Sequence, residues 1–151
     1  MDLPDRILEK LDVVVASVHS SFDQEEEKMT RRIIQTLENP QVDILGHPSG
    51  RILLKRDPYD VDWEKIFETA KKTKTILEIN CHPERLDLND DLIFEARRYG
   101  LKFAISSDTH QESHLSQLIY GVACARRGWL TKDNVINTLP LSEFLKFIKN
   151  K

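Results

Sequence analysis

Residues 12–20 read DVVVASVHS, and they contain the pattern that the rest of the chain repeats. Val13, Val14 and Val15 are β-branched and follow one another with no polar residue between them. Such a run lacks amphipathic alternation and indicates a strand that is buried on both faces of a sheet. We expect this strand to end at His19, where polar residues begin.

Three more short apolar runs follow, each separated from the one before it by a segment with helical periodicity. In the first such segment Met29, Ile33 and Leu37 recur at helical spacing, with acidic residues in the first turn, where the helix dipole favours them. The pattern predicts strands over residues 12–18, 42–45, 75–79 and 101–105, and helices over residues 23–38, 61–73, 90–99, 113–127 and 142–149. Strands joined by long helical crossovers pair in parallel. The predicted fold class is therefore α/β, with about four parallel strands alternating with helices.

The bulk composition indicates one globular domain over residues 1–151. The chain has 151 residues, is 40% hydrophobic and carries a formal charge of -3, so any nucleic-acid contact must come from a local basic patch. Cys81 and Cys124 match no metal or disulfide motif. No segment has the pattern of a signal peptide or a membrane span, and we expect a soluble protein of the cytoplasm.

Unusual polar residues gather where the predicted strands end. The carboxyl ends of parallel strands share one rim, where ligands bind in this class of fold. A single His after a strand is most often a loop residue, but three His and one Asp over three strand ends indicate a shared polar site. The residues expected at this rim are His19, His47, Glu78, Asn80, Asp108 and His110.

The residue types at the rim favour metal binding. Asp108 and His110 are two residues apart, so in extended backbone they point to the same side. Imidazole and carboxylate together suit Zn²⁺, Mn²⁺ or Fe²⁺. Glu78 and Asn80 share one face of their strand, and one of them could orient a metal ligand. A carboxylate satisfied inside the barrel explains Glu78 equally well.

Other polar residues are assigned less directly. Arg85 lies in the loop after the third strand, where it is well placed to meet a substrate phosphate. Arg51 belongs to a basic group after His47, for which phosphate contact and plain solvation are both open. His114 is expected to face solvent from a first helical turn, and His82 is as well explained as a loop residue. We leave both of these histidines out of the metal set.

At these residues the sequence resembles the PHP (polymerase and histidinol phosphatase) superfamily, in particular the domain at the carboxyl end of family X DNA polymerases. The resemblance covers nearly the whole chain, and its set of motifs is far more specific than any one of them. The motifs are ASVHS (16–20), ILGHPSGR (44–51) continuing to KRDPY (55–59), EIN (78–80), Pro83 with RLDL (85–88), SDTH (107–110), GVA (121–123) and ARRGWL (125–130).

The resemblance implies a distorted (β/α)7 barrel that holds up to three ions, Mn²⁺ or Zn²⁺, and hydrolyses phosphoesters. In the polymerase-linked branch it implies 3′-5′ exonuclease activity on DNA ends. Carried over by motif, His19 and His47 would bind one ion, Asp108 a second and His110 a third, with Asp108 and His110 in the catalytic centre. From their places in the rim loops, and not from the motif, Arg85 and Arg51 are the residues that we expect to contact substrate.

Two departures from the family pattern qualify this reading. The family's amino-terminal half supplies an H-x-H pair, further His ligands and a bridging Glu, and this chain begins downstream of all of them. We therefore treat the chain as the carboxyl-terminal portion of the domain and expect it to hold fewer ions. In addition, His82 stands before Pro83 where the family has Asn, which affects a substrate contact and not the metals.

Three functions follow as hypotheses. The chain is part of a polymerase-associated phosphoesterase, or it is complete and its site is closed by a partner chain or by a second copy. Alternatively, it is a non-catalytic remnant that supports a polymerase. Within the enzyme class, the runner-up is a small-molecule phosphatase of the histidinol-phosphatase type. The stretch from Arg51 to Tyr59 and the RLDL segment favour the polymerase branch.

Overall fold

The computed structural model describes residues 2–150 and is built around a parallel sheet of four strands in the order β1-β2-β3-β4. The strands are β1 (Val15–Ala16), β2 (Ile44–Leu45), β3 (Ile76–Asn80) and β4 (Phe103–Ser106). Every neighbouring pair is parallel. The sheet confirms the predicted α/β class and is consistent with part of a barrel.

Helices alternate with these strands. They are α1 (Asp5–Leu8), α2 (Glu26–Leu37), α3 (Trp63–Thr73), α4 (Asp90–Arg98), α5 (Leu118–Arg127) and α6 (Leu141–Lys149), with 3-10 helices at Glu112–Gln117, Lys132–Asn134 and Ile136–Thr138. None of the helices in residues 2–150 is long and apolar enough to cross a membrane.

Two of the differences between the predicted and the observed elements have a clear physical cause. The α-helix expected over residues 113–127 is wrong in its first part, because Glu112–Gln117 forms a 3-10 helix. None of its residues is buried, so no apolar stripe favours the wider α-helical turn. The first strand is shorter than residues 12–18, since the amide of Val14 donates to the Asp43 carboxylate (2.8 Å) and regular pairing begins only at Val15.

The two faces of the sheet have different coverings. Helices α2 to α5 pack on one face, where Met29, Phe67 and Phe103 are fully buried. On the other face the amino-terminal half is apolar and is covered by α6, whose Ile148 packs with Ile44, Ile76, Ala104 and Ile136. The carboxyl-terminal half of that second face carries Glu78 and Asn80. On this face, the polar residues at the carboxyl ends of the strands therefore lie next to an apolar region at the amino ends.

The two edges of the sheet also differ. At the β4 edge, Val135 forms a parallel bridge with Phe103, and the Asn137 side chain pairs with both the amide (3.1 Å) and the carbonyl (2.7 Å) of Ile105. At the β1 edge no strand pairs within residues 2–150, and Val15 is 53% exposed. An open groove of about 410 Å³, lined in part by Leu3 and Leu11, runs beside this edge.

Gly121 sets how closely α5 approaches the end of β3. A Cβ added there would lie 2.1 Å from Cys81 Sγ and 2.9 Å from Ile105 Cγ2. We therefore expect Gly121→Ala to lower the free energy of unfolding by about 1–3 kcal/mol through overpacking, despite its better helix propensity. Urea denaturation measures this change. Val122→Ala, at the exposed next position, is the control and should shift it by less than about 0.5 kcal/mol; equal effects would contradict the packing argument.

Candidate metal centre

The structure brings His19 and His47 together at the rim. Their strands, β1 and β2, are neighbours, and the two Nε2 atoms lie 3.2 Å apart, with ring centroids 5.1 Å apart. Gly46 makes this approach possible, because a Cβ there would lie 2.5 Å from Ser17 Oγ and 3.0 Å from Val15 Cγ1. The small residue before His47 thus lets the strand ends meet.

His47 is held in a defined orientation. It is buried, its φ is 29°, and its amide donates to Glu78 Oε2 at 2.5 Å. Its Nδ1 is buried and has no hydrogen-bond partner among the described residues. Burial, followed by the charge of Arg85, lowers the pKa of His47 to about 4. The ring is therefore neutral at pH 7, the form in which imidazole binds metal ions.

Glu78 connects the ends of three neighbouring strands. Its carboxylate accepts from the His47 amide, from the Ser106 hydroxyl and from Asn80 Nδ2 (3.3 Å). Burial raises the pKa of Glu78, while these three donors oppose that rise. A buried carboxylate that accepts several hydrogen bonds acts as a structural anchor for the loop that carries His47.

Asn80 extends the same network to the fourth strand. Its Nδ2 also lies 3.3 Å from Asp108 Oδ2, and its Oδ1 accepts from the His82 amide at 3.0 Å. Arg85 Nε lies 3.7 Å from the same Asp108 oxygen. A continuous series of polar contacts therefore runs from the His19–His47 pair through Glu78 and Asn80 to Asp108.

His110 occupies a different position from the one expected. Asp108 has a φ of 49°, so the backbone is not extended there, and the premise of same-side alternation is wrong. The His110 side chain is 77% exposed, and its Nδ1 lies 2.6 Å from the main-chain oxygen of Asp108 and 3.9 Å from Oδ1. Of the four expected ligands, only His19 and His47 have side-chain atoms within hydrogen-bond distance of each other, because His110 reaches the main chain of Asp108 and not its carboxylate.

Two histidines outside the expected set also meet at the rim. The rings of His82 and His114 are 5.2 Å apart and nearly perpendicular, and His114 Nδ1 accepts from the His110 amide at 3.3 Å. His114 was expected to face solvent; it is half-buried, and the 3-10 helix brings its ring against that of His82. The spacing of four residues between His110 and His114 was the available signal. The sequence analysis also did not name Ser106 as a rim residue. Period-two alternation, which places it on the same strand face as Ala104, was the available signal.

The two arginines expected to contact substrate are used differently. Arg51 donates from Nε to the Arg85 carbonyl (2.8 Å) and from Nη2 to the Leu86 carbonyl, so it joins two rim loops. Arg85 makes its one ion pair, a long one, with Asp108, and its Nη1 is buried with no partner among the described residues. Arg85 thus has a guanidinium donor that no described residue uses.

The donor set fits a divalent cation, with limits. Two imidazole nitrogens that lie 3.2 Å apart can bind one cation together. Within residues 2–150, however, no group of three or more His, Cys, Asp or Glu side chains is arranged to hold an ion. The residues present would supply only part of a coordination shell.

Comparison with known proteins gives relatives of two kinds. The chain is 38% identical over 149 residues to the DNA polymerase/3′-5′ exonuclease PolX of Bacillus subtilis. The aligned region covers 99% of this chain but only 26% of the polymerase. A probable phosphatase of a Thermoanaerobacter species is 34% identical over 162 residues and is covered to 64%, and one from Caldanaerobacter subterraneus is 35% identical over 119 residues and is covered to 44%. The chain therefore spans less than two thirds of each. No family model matches it.

The role of Glu78 can be tested by removing its carboxylate. Glu78→Ala leaves the His47 amide and the Ser106 hydroxyl without their acceptor, and we expect the free energy of unfolding to fall by about 2 kcal/mol. The His19 and His47 imidazole signals should shift in the NMR spectrum, because the loop loses its anchor. Glu84→Ala, which removes an exposed carboxylate paired with Lys55 (2.8 Å), is the control and should leave both readouts nearly unchanged. Unaltered imidazole signals in Glu78→Ala would contradict the anchoring role.

Proposed function

We propose that this chain, which belongs to the PHP superfamily and corresponds to the carboxyl-terminal part of its domain, supplies His19, His47 and Asp108 to a metal-dependent phosphoesterase site. The observation that carries the proposal is the His19–His47 contact at 3.2 Å, which Glu78 and Asn80 link to Asp108. The relatives named as an exonuclease and as phosphatases support the reaction class.

Each residue would have a distinct part in this site. His19 and His47 would hold one ion through neutral imidazole nitrogens, and Asp108 would hold a second. The exposed His110 ring would serve a third, with Mn²⁺ or Zn²⁺ as the ions. When bound, such ions lower the pKa of a water molecule and stabilise negative charge on phosphoryl oxygens. Glu78 and Asn80 would keep the histidine and the aspartate in position, and Arg85 would bind the phosphate.

The substrate that we propose is the 3′ end of DNA. Arg85 offers a buried donor beside Asp108, and a guanidinium suits a phosphodiester oxygen. Arg51 would act on substrate indirectly, because two of its donors hold the Arg85 loop. A small-molecule phosphatase remains the second candidate, and the relatives named as probable phosphatases favour it. We also propose a cytoplasmic location, because the named relatives are bacterial and bacterial DNA lies in the cytoplasm.

We propose that residues outside this chain complete the site. The resemblance implies further ligands from an amino-terminal half, in the same polypeptide or a partner. The β1 edge, with which no strand pairs among residues 2–150, lies beside His19. A second copy would complete a ring most simply by pairing its β4 with β1. That edge of β4 is already covered by Val135 and Asn137, which argues against closure by a homodimer. Polymerase domains would then lie next to the phosphoesterase site and would not supply its missing ligands.

The isolated chain is expected to bind Mn²⁺ weakly, because an ion with two or three protein ligands lacks a closed shell. Paramagnetic broadening should affect the His19 and His47 signals first, and His47→Ala should remove it at His19. His114→Ala, in a histidine outside the metal set, is the control and should retain it. Tight binding of two or more ions by the monomeric chain would contradict this expectation.

The catalytic assignment can be tested in an assembled system that contains the whole phosphoesterase. Asp108→Ala should abolish hydrolysis of a DNA 3′ end, and Arg85→Gln should lower kcat/KM by about tenfold or more, through loss of a charged hydrogen bond to phosphate. Arg98→Gln, in an exposed residue of α4, is the control for general loss of positive charge. Unchanged hydrolysis in Asp108→Ala would favour the non-catalytic role, and a preference for small phosphate monoesters would favour the second candidate.

A further inference from the structure

The turn at residues 48–51, which we call the rim turn, is bound through its main chain by other parts of the protein. Tyr59 donates from its hydroxyl to the Pro48 carbonyl and from its amide to the Ser49 carbonyl (3.1 Å). A Cβ at Gly50, whose φ is 66°, would lie 2.4 Å from the Tyr59 ring. The backbone of the rim turn therefore has a defined conformation.

A buried carboxylate holds the amide side of the same turn. Asp87 is fully buried, and both of its carboxylate oxygens lie 3.1 Å from the amide nitrogen of Ser49. The Ser49 side chain and the Gly50 amide also form hydrogen bonds with this carboxylate. A side chain of the loop that joins β3 to α4 thus fixes the backbone of the rim turn.

The rim turn and the Arg85 loop hold each other in both directions. Arg51, the last residue of the turn, donates to the carbonyls of Arg85 (2.8 Å) and Leu86, while Asp87 accepts from the turn. The main chain of Asp87 is itself fixed, because it forms an antiparallel bridge with Asn80 at the end of β3. The backbone of Arg85 is therefore held on both sides.

The stability of the fold does not explain a carboxylate at this position. Burial raises the pKa of Asp87 from 3.8 to about 6, and hydrogen bonds from Ser49 and the charge of Arg51 only partly oppose the rise. A carboxyl group whose pKa rises on folding lowers the free energy of unfolding as the pH increases between its two pKa values. An uncharged acceptor would hold the Ser49 amide at a smaller desolvation cost. The charge of Asp87 faces Arg51, and the alignment of the two loops gives it a use.

We propose that Asp87 is a positioning residue for phosphate recognition, which fixes the rim turn against the Arg85 loop and thereby sets the place of the unpartnered Arg85 Nη1. This inference rests on the proposed function, in which Arg85 binds the phosphate. Glu78 fixes the strand ends and the amide of His47, whereas Asp87 acts on the two loops beyond them. Substrate binding would therefore depend on Asp87 more strongly than metal binding does.

The first test follows the Arg85 guanidinium of the isolated chain by NMR. Asp87→Ala leaves the Ser49 amide without its acceptor, and the Arg85 Nε–H signal should shift or broaden. Asp87→Asn keeps the shape and one acceptor, and its effect should be smaller. Asp43→Ala is the matched control, because Asp43 is also a buried carboxylate that accepts from a main-chain amide (2.8 Å), but it precedes β2 at the opposite end of the sheet. The Arg85 signal should be unchanged in this control.

The second test uses the assembled system that contains the whole phosphoesterase and separates KM from kcat. Asp87→Ala should raise KM for a DNA 3′ end about tenfold and leave kcat within about twofold, because a phosphate contact is misplaced while the metal ligands stay in position. Asp43→Ala should keep the KM of the wild type. If Asp87→Ala does not fold, Asp87→Asn replaces it in both tests, with an expected rise in KM of about threefold.

The outcomes separate the role of Asp87 from the proposed function. If the Asp87 variants keep the wild-type Arg85 signal and KM while Asp108→Ala abolishes hydrolysis, the positioning role is wrong and the phosphoester site stands. The role is also wrong if kcat falls without a rise in KM, or if Asp43→Ala changes both readouts as much as Asp87→Ala. If the Arg85 signal moves in the Asp87 variants alone but the assembled protein hydrolyses no DNA end, Asp87 does position Arg85 and the proposed function fails.

Discussion

The polar rim depends on one buried carboxylate. Glu78 accepts hydrogen bonds from the main chain after β2 and from side chains on β3 and β4, so a single group fixes three strand ends relative to one another. A carboxylate buried at this depth is stable only when such donors surround it. The position of His47, and through it the contact with His19, follows from this anchor.

The sheet face that α6 covers has an apolar half and a polar half, and the two halves have complementary functions. Ile76, Ala104 and Ile44 pack with α6 at the amino-terminal end, which leaves the carboxyl-terminal end of the same strands free of apolar cover. Period-two alternation then places Glu78 and Asn80 above Ile76 on one strand. The polar network can form because the residues beneath it already exclude water from the lower half of the sheet.

Sequence patterns predicted the parts of this structure that depend on local periodicity. The strands at Val15 and Ile44 were predicted correctly, and the histidines that follow them meet because parallel strands end on one rim. The expected burial of the first strand on both faces is wrong at Val15, which lies exposed at the edge of the sheet. The left-handed backbone at Asp108 and the 3-10 turn that carries His114 could not be predicted, because no local pattern encodes them. Tertiary contacts decide both, and they also determine which histidine rings meet.

Arg51 shows that residue type alone can suggest the wrong role for a side chain. A guanidinium in a rim motif suggests contact with phosphate, yet here its donors reach the carbonyls of Arg85 and Leu86. Because those contacts are made, the loops that carry Arg51 and Arg85 have fixed positions relative to each other. An arginine that holds two loops can matter as much to substrate recognition as one that touches the phosphate, since it determines where the groups that do touch the substrate lie.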